Sequence, residues 1–519
     1  MTALGVRGAR RGAASGPRPS ALLVVVTVAI AVITLVPVGF VVVTMLNTGW
    51  DVLGPLIFRP KVGELLVNTV LLVIIGVPLC VALGVGQAWL VERTNLPGRR
   101  VWAILFAAPL AIPAFVSSYA WVSLIPSIGG LSGGLLIAVL SYSPLVYLPA
   151  VATLRRLDPA LEDSAQSLGL TSSKVFARVV LPQLRLAIWG GGLVVALHLL
   201  AEYGAFALIR FDTFTTAIIV QYQSTFAGPA ASALGIVLTL LCLLVLTAES
   251  TTRGRARYAR IGSGSASPAE RHRLGRATVP ALAATSVIAL LAVGVPLGSI
   301  ARWLSVGDPW AQPEIVSAIT QTVLLAIGGA LLTIVAALPL AWLSIRHPSR
   351  ISKVVEGSTY LASSLPGIII ALALVTVTIR LVPALYQTAF TVLVAYLIMF
   401  LPRALVSLRA GLGQAPIMLE EVAQSLGNSP MRARARVTLP LLVPSILGGA
   451  ALVALGVANE LTATLLLAPN GTRTLAMQFW SASSSLAYSD AAPYALLLVI
   501  ISIPTVALLS IQSRKRTTQ

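Results

Sequence analysis

Apolar runs long enough to cross a bilayer recur from one end of the chain to the other, and they constrain the fold more than any other feature. In hydrocarbon every backbone N–H and C=O must be paired internally, so such runs become helices or closed barrels. A spanning helix takes about 20 predominantly apolar residues. The runs fall at 21–46, 66–91, 101–125, 131–153, 186–208, 231–248, 279–301, 319–344, 357–379, 387–408, 443–467 and 491–511. The expectation is an all-α polytopic membrane protein with twelve transmembrane helices. Composition points the same way: 57% of the 519 residues are hydrophobic and 10% charged. Soluble domains carry about 25% charged residues, so a soluble enzyme is excluded. The first run follows a basic head with Arg7, Arg10, Arg11 and Arg18. It exceeds the roughly 7–15 residues of a signal-peptide core, and it reads as an uncleaved helix.

The net charge of +19 could point to nucleic acid, and the placement of the charges decides. With the N-terminus inside, 30 of the 36 Lys and Arg residues fall in the N-tail, 92–100, 154–185, 249–278, 345–356, 403–442 and the C-tail. Only Arg59, Lys61, Arg210, Arg302, Arg380 and Arg473 fall in outside loops. That asymmetry predicts a cell-membrane protein with both termini cytoplasmic. Charge spread over separate loops excludes a nucleic-acid partner. The stretch 249–278 is rich in Arg, Gly and Ser, without apolar periodicity, and reads as a solvated linker. Cys80 and Cys242 lie inside apolar runs, and His198, His272 and His347 are scattered. Neither a metal site nor a cofactor on this chain is expected.

The two halves of the chain align. Asn68-Thr-Val-Leu-Leu matches Gln321-Thr-Val-Leu-Leu, Ala88-Trp89-Leu90 matches Ala341-Trp342-Leu343, and Arg93 matches Arg346. Pro113 falls on Pro366 and Leu148-Pro149 on Leu401-Pro402. Past a five-residue insertion, Ala165-Gln-Ser-Leu-Gly169 matches Ala423-Gln-Ser-Leu-Gly427. Leu181-Pro182 then matches Leu439-Pro440, and Glu202 matches Glu460. Equivalent helices are six spans apart, an even number, so both repeats take the same orientation. The inverted repeat of many secondary transporters would require the opposite.

The most similar piece lies between spans, on the basic side. The first copy runs from Asp158 through Glu162, Asp163, Ala165 and Gly169 to Leu181-Pro182. The second runs through Glu420, Glu421, Ala423 and Gly427 to Leu439-Pro440. Asp158 is a plausible N-cap with Pro159 at the first helical position. Acids follow in the opening turns, and Gly169 stands where a left-handed stop belongs. Each loop should carry a short helix able to dock into a cleft on another protein.

Both loops resemble the EAA motif of type I ABC importer permeases, in which Glu-Ala-Ala is followed by a spaced Gly and then Leu-Pro. Asp163 and Ser164 replace Glu and Ala in the first copy, and Glu421-Val422-Ala423 opens the second. Two motifs on one chain resemble the fused permeases of ferric-iron and thiamine importers. The resemblance implies two parallel repeats over 64–248 and 317–511, flanked by an N-tail (1–20), extra helices at 21–46 and 279–303, and a C-tail (512–519). It also implies an ATPase homodimer docked on Glu162, Asp163, Ala165, Gly169, Leu181, Pro182, Glu420, Glu421, Ala423, Gly427, Leu439 and Pro440. An extracytoplasmic substrate-binding protein is the other implied partner. It ranks ferric iron first as cargo, thiamine next and other small solutes behind. An ion-coupled carrier or channel is the competing class, and it would not need doubled docking loops.

No catalytic residue is expected. A Walker A site needs Gly-Lys-Ser/Thr, and none of Lys61, Lys174, Lys353 and Lys515 follows a Gly. Leu131-Ser-Gly-Gly134 imitates an ABC signature but lies within an apolar run. ATP hydrolysis is therefore expected on a separate subunit. Within the spans, Glu202 and Glu460 are the carboxylates, with His198 one turn before Glu202. Intramembrane carboxylates are costly and usually face protein or a water-filled path. Two readings stay open: these groups line the translocation path, or they tie neighbouring helices together. Loops 209–230 and 468–490 could form the surface that receives a binding protein.

Overall fold

The computed structural model describes residues 19–225, 228–252 and 272–515. Most of the N-tail, linker residues 253–271 and the last four residues lie outside that set. The described residues are helical, with one isolated bridge between Thr94 and His272 and no strand. Among the described residues nine helices are long and apolar enough to cross a membrane. The second and eighth spans, Pro60–Arg93 and Ile315–Arg346, have 34 and 32 residues. At 1.5 Å per residue each is about 50 Å long, well beyond a hydrocarbon core of about 30 Å. Arg93 and Arg346 therefore stand past its edge. Leu324, Ile327, Leu331 and Val335 form an exposed stripe at helical spacing on the eighth span, the face suited to lipid.

Two of the twelve expected spans are broken. Arg99–Ala111 and Ala114–Leu124 meet at 93°, and Arg350–Ser363 and Gly367–Leu381 meet at 102°. The cause is repeat-related. Pro113 and Pro366 stand at the N-caps of the second segments in extended backbone, ψ 143° and 144°. Proline has no N–H to give the preceding turn, and its ring clashes with the carbonyl four residues back. With each bent pair taken as one span, the described residues give up to eleven, and the apolar part of the last helix, Tyr488–Pro504, is shorter than these.

The halves are interleaved. The first span, Ala21–Thr48, packs on Ile315–Arg346 and on both segments of the ninth span. The seventh, Gly275–Leu304, packs on Ala114–Leu124 and on Tyr488–Lys515. Phe115 and Tyr119 meet Phe479 across the junction, each at 5.3 Å between ring centroids. The Tyr119 hydroxyl donates to the Tyr488 carbonyl at 2.6 Å. Within each half, glycine permits close helix approach. A Cβ on Gly191 would lie 3.0 Å from Val146 Cα, and one on Gly449 would lie 3.1 Å from Ser407 Cβ.

Candidate functional site: two short helices at the basic end

The two motif loops fold alike. The short helices are Pro159–Ser167 and Ile417–Ser425. Asp158 caps the first, accepting from the Ala160 amide at 3.1 Å. Both end in a left-handed glycine, Gly169 at φ +85° and Gly427 at φ +87°. The Gly169 amide donates to Gln166 O and the Leu170 amide to Ala165 O. The Gly427 amide donates to Gln424 O and the Asn428 amide to Ala423 O. These are paired Schellman closures. They leave Leu168 and Leu426, equivalent residues, 85% and 78% exposed. An apolar side chain held out at the tip of a polar loop suits a protein partner better than water.

The paired acids do different jobs. Glu162 and Glu420 turn inward and are buried, whereas Asp163 and Glu421 are exposed. Glu162 accepts from Arg93 Nε at 3.0 Å, while Arg93 Nη2 donates to Leu154 O at 2.8 Å. Glu420 accepts from Arg346 Nη2 at 3.1 Å and from the Thr438 hydroxyl at 2.6 Å. Arg346 Nη2 also reaches Ala415 O at 3.1 Å. Each short helix is thus bolted to the end of a long span by a buried ion pair. A docked partner would meet Asp163 and Glu421, not Glu162 and Glu420.

Leu-Pro has a backbone explanation. Pro182 and Pro440 cannot donate to the carbonyl four residues back. Each is preceded by one π-turn, Phe176–Val180 or Arg434–Thr438. There the Leu181 amide donates to Phe176 O, and the Leu439 amide to Arg434 O. The same device recurs before Val295-Pro296, where the Val295 amide donates to Leu290 O. The wider turn makes room for the proline ring. Trp89 packs edge-on against Phe176 at 4.7 Å, and the Arg434 guanidinium sits 5.1 Å from the Trp342 ring. The equivalent tryptophans therefore brace the equivalent π-turns.

The described end of the linker departs from a solvated tether. The His272 amide donates to Arg93 O at 2.9 Å, and the Asn95 amide donates to His272 O at 3.2 Å. The His272 ring stacks on Trp89 at 5.6 Å. The linker is thus fastened beside the arginine that holds Glu162.

Glu202 and Glu460 are not in mid-helix. Helix Leu181–Ala201 stops before Glu202 and a short helix begins at Gly204; Leu439–Ala458 stops before Asn459 and another begins at Thr462. Each carboxylate caps the short helix beyond its break. Glu202 Oε1 accepts from the Ala205 amide at 2.9 Å, and Glu460 Oε1 accepts from the Ala463 amide at 2.7 Å. Glu202 Oε2 also accepts from the Tyr142 hydroxyl. His198 bonds Val194 O at 2.8 Å and lies 5.5 Å from the Tyr142 ring. The geometry favours the tying of helices for both carboxylates, whose oxygens serve the protein's own donors. Among the described residues no group of three or more His, Cys, Asp or Glu could hold a metal ion.

At the opposite end, Asn68 donates to Asp212 O at 3.0 Å, and Gln321 accepts from the Arg473 amide at 2.8 Å. Lys61 pairs with Asp212 at 2.6 Å and Arg473 with Glu314 at 3.0 Å. Thr213 is buried. The loops are pinned to the second and eighth spans.

No local motif assigns Arg93 and Arg346 a role, and their exact repeat match is the one sequence signal for it. Tyr142 carried no signal, because its equivalent is Ala395. The sequence places Arg403 in a basic loop, whereas helix Ala389–Gln414 runs on past it.

Two like halves, each with a short polar helix bolted to one end of a bundle of spans, define a duplicated membrane permease. Residues 93–249 and 334–515 match the family described as binding-protein-dependent transport system inner membrane component, and the chain belongs to that family. It is a permease subunit of an ABC importer. It is 36% identical over 491 residues to the Fe(3+)-transport system permease protein FbpB 2 of Haemophilus influenzae, covering 93% of this chain and 97% of that one. It is 27% identical over 248 residues to the sulfate transport system permease protein CysT of Salmonella typhimurium, covering 44% of this chain and 89% of that one. The ferric transport system permease protein FbpB of Actinobacillus pleuropneumoniae is 22% identical over 406 residues, covering 72% of this chain and 57% of that one.

Proposed function

We propose that this chain forms the membrane path of an importer for ferric iron. Cargo is delivered by an extracytoplasmic binding protein, and transport is driven by an ATPase homodimer on the cytoplasmic side. The observation that carries the cargo is end-to-end similarity to a ferric permease, covering 93% of this chain. The sulfate permease matches only 44% of it. ATP hydrolysis belongs to the separate subunit, and both termini are cytoplasmic. In this reading one ATPase protomer receives Pro159–Ser167 and the other Ile417–Ser425. Closure of the ATPase dimer moves the short helices, and the buried Arg–Glu pairs pass that movement to the long spans. The exposed Asp163 and Glu421 meet basic groups of the ATPase.

Uptake of radiolabelled ferric iron by cells carrying the whole transporter tests the cargo. Saturable uptake that competing thiamine and sulfate leave unchanged is the expected result. Iron uptake equal to that of cells lacking the chain would reject ferric iron.

A further inference from the structure

Arg403 belongs to none of the devices described above. It lies near the middle of Ala389–Gln414, and its side chain is exposed. Among the described residues its guanidinium has no hydrogen bond or ion pair; it sits 4.8 Å from the Phe400 ring. Its Nη1 lies over Gly456, where an added Cβ would come within 2.7 Å. Gly456 is the repeat partner of His198. Where the first half places an imidazole, the second has bare backbone, and a guanidinium from the neighbouring helix covers it. Among the described residues neither Glu202 nor Glu460 pairs with the Arg403 guanidinium. Glu202 is engaged by Ala205 and Tyr142, and Glu460 by Ala463.

A guanidinium inside a membrane bundle is costly, and it normally faces a bundle interior or a water-filled path. Its planar fork of donors matches carboxylates and oxyanions. A fixed, unpaired guanidinium repels a bare multivalent cation at this level and attracts an anion. We infer that cargo passes Arg403 carrying an anionic group, an oxyanion or carboxylate, and that Arg403 selects for it. Either the anion is a ligand bound to the ferric ion or the anion is itself the cargo. The inference rests on the permease reading and refines the ferric one.

The test uses the complete transporter in cells, with labelled ferric iron supplied as its phosphate or citrate complex and the anion labelled in a parallel arm. Arg403→Ala should lower iron uptake about tenfold or more, the scale of one lost charge-assisted contact. Arg403→Lys should retain most uptake and Arg403→Glu should abolish it. Membrane level and bound ATPase should not change, and the labelled anion should enter with the iron. If Arg403→Ala fails to reach the membrane, Gly456→Ala displaces the guanidinium without removing it and should also lower uptake. Iron uptake indifferent to Arg403→Ala, Arg403→Glu or Gly456→Ala, or iron entering without anion, overturns the inference and leaves the ferric reading standing. A wild type that takes up an oxyanion but no iron, and loses that uptake in Arg403→Ala, keeps the cationic site and removes the ferric reading.

Discussion

The two short helices share a frame but are held differently. In the first half Arg93 is the one side-chain partner of Glu162 among the described residues, and the supporting Trp89 lies between Phe176 and His272 of the linker. In the second half Glu420 has Arg346 and the Thr438 hydroxyl, and Trp342 faces two guanidiniums, Arg346 and Arg434. The equivalent of Thr438 is Val180, which can donate nothing. Duplication kept the features that fix the shape of the docking element, the Arg–Glu bolt, left-handed glycine and π-turn. It let the secondary supports diverge. The first copy is also tied to the linker that joins the halves.

This contrast orders the expected effects. The largest belongs to Arg93→Ala. Removing one partner of a buried ion pair leaves an uncompensated charge, a cost of about 3–5 kcal/mol. Iron uptake should fall to background, and less ATPase should co-purify with the membranes. Arg346→Ala should fall short of that, because Thr438 still serves Glu420. Equal losses in the two variants would remove the distinction between the copies.

Next come the glycines. Gly169→Ala and Gly427→Ala meet no neighbouring atom within 4 Å. Their cost is therefore backbone strain alone, about 1–2 kcal/mol in the left-handed region. The two should match, since their φ angles agree, and uptake in both should be partial. Proteolysis at 165–172 and 423–430 should rise together. A rise confined to one copy would show that something besides the backbone holds the other.

Comparable in energy is Thr438→Val, which gives the second copy the first copy's residue. Losing one hydrogen bond to a buried carboxylate costs about 1.5–3 kcal/mol at most, with Arg346 still in place. Thr438→Val should make uptake as sensitive to Arg346→Ala as it is to Arg93→Ala. Additive losses in the double variant would deny that Thr438 compensates.

The smallest effect is His272→Ala. A stacked ring pair contributes about 0.5–1.5 kcal/mol beyond area burial. Near-normal uptake is expected, with faster protease cleavage beside the linker and no change near Ile417–Ser425. Equal change at both copies would contradict the one-sided anchor.

Much of this was legible in the sequence, because bilayer physics leaves few options. The twelve apolar runs, the repeat and the glycine stops each follow from a rule that acts on neighbouring residues. What escaped depends on pairing across the fold. Pro113 and Pro366 were visible as a matched pair, but near-right-angle bends cannot be read from hydropathy, since both segments remain apolar. Glu162 and Asp163 are adjacent acids in sequence, and only the position of Arg93 assigns one inward and the other outward. Glu202 and Glu460 stood out as intramembrane charges, yet their helices break just before them and turn each carboxylate into a cap. Arg403 looked like loop charge because the insertion between the halves conceals how far its helix continues.

The central claim is that the two short helices carry the contact with the ATPase. The direct measurement is ATPase retention on membranes, with substrate-stimulated hydrolysis, in one variant altered at Asp163, Gly169, Glu421 and Gly427. Arg93, Glu162, Arg346 and Glu420 stay in place, so each bolt to the bundle remains. The account predicts normal insertion of the chain, loss of most bound ATPase and loss of stimulated hydrolysis. Full retention of both by that variant would contradict it.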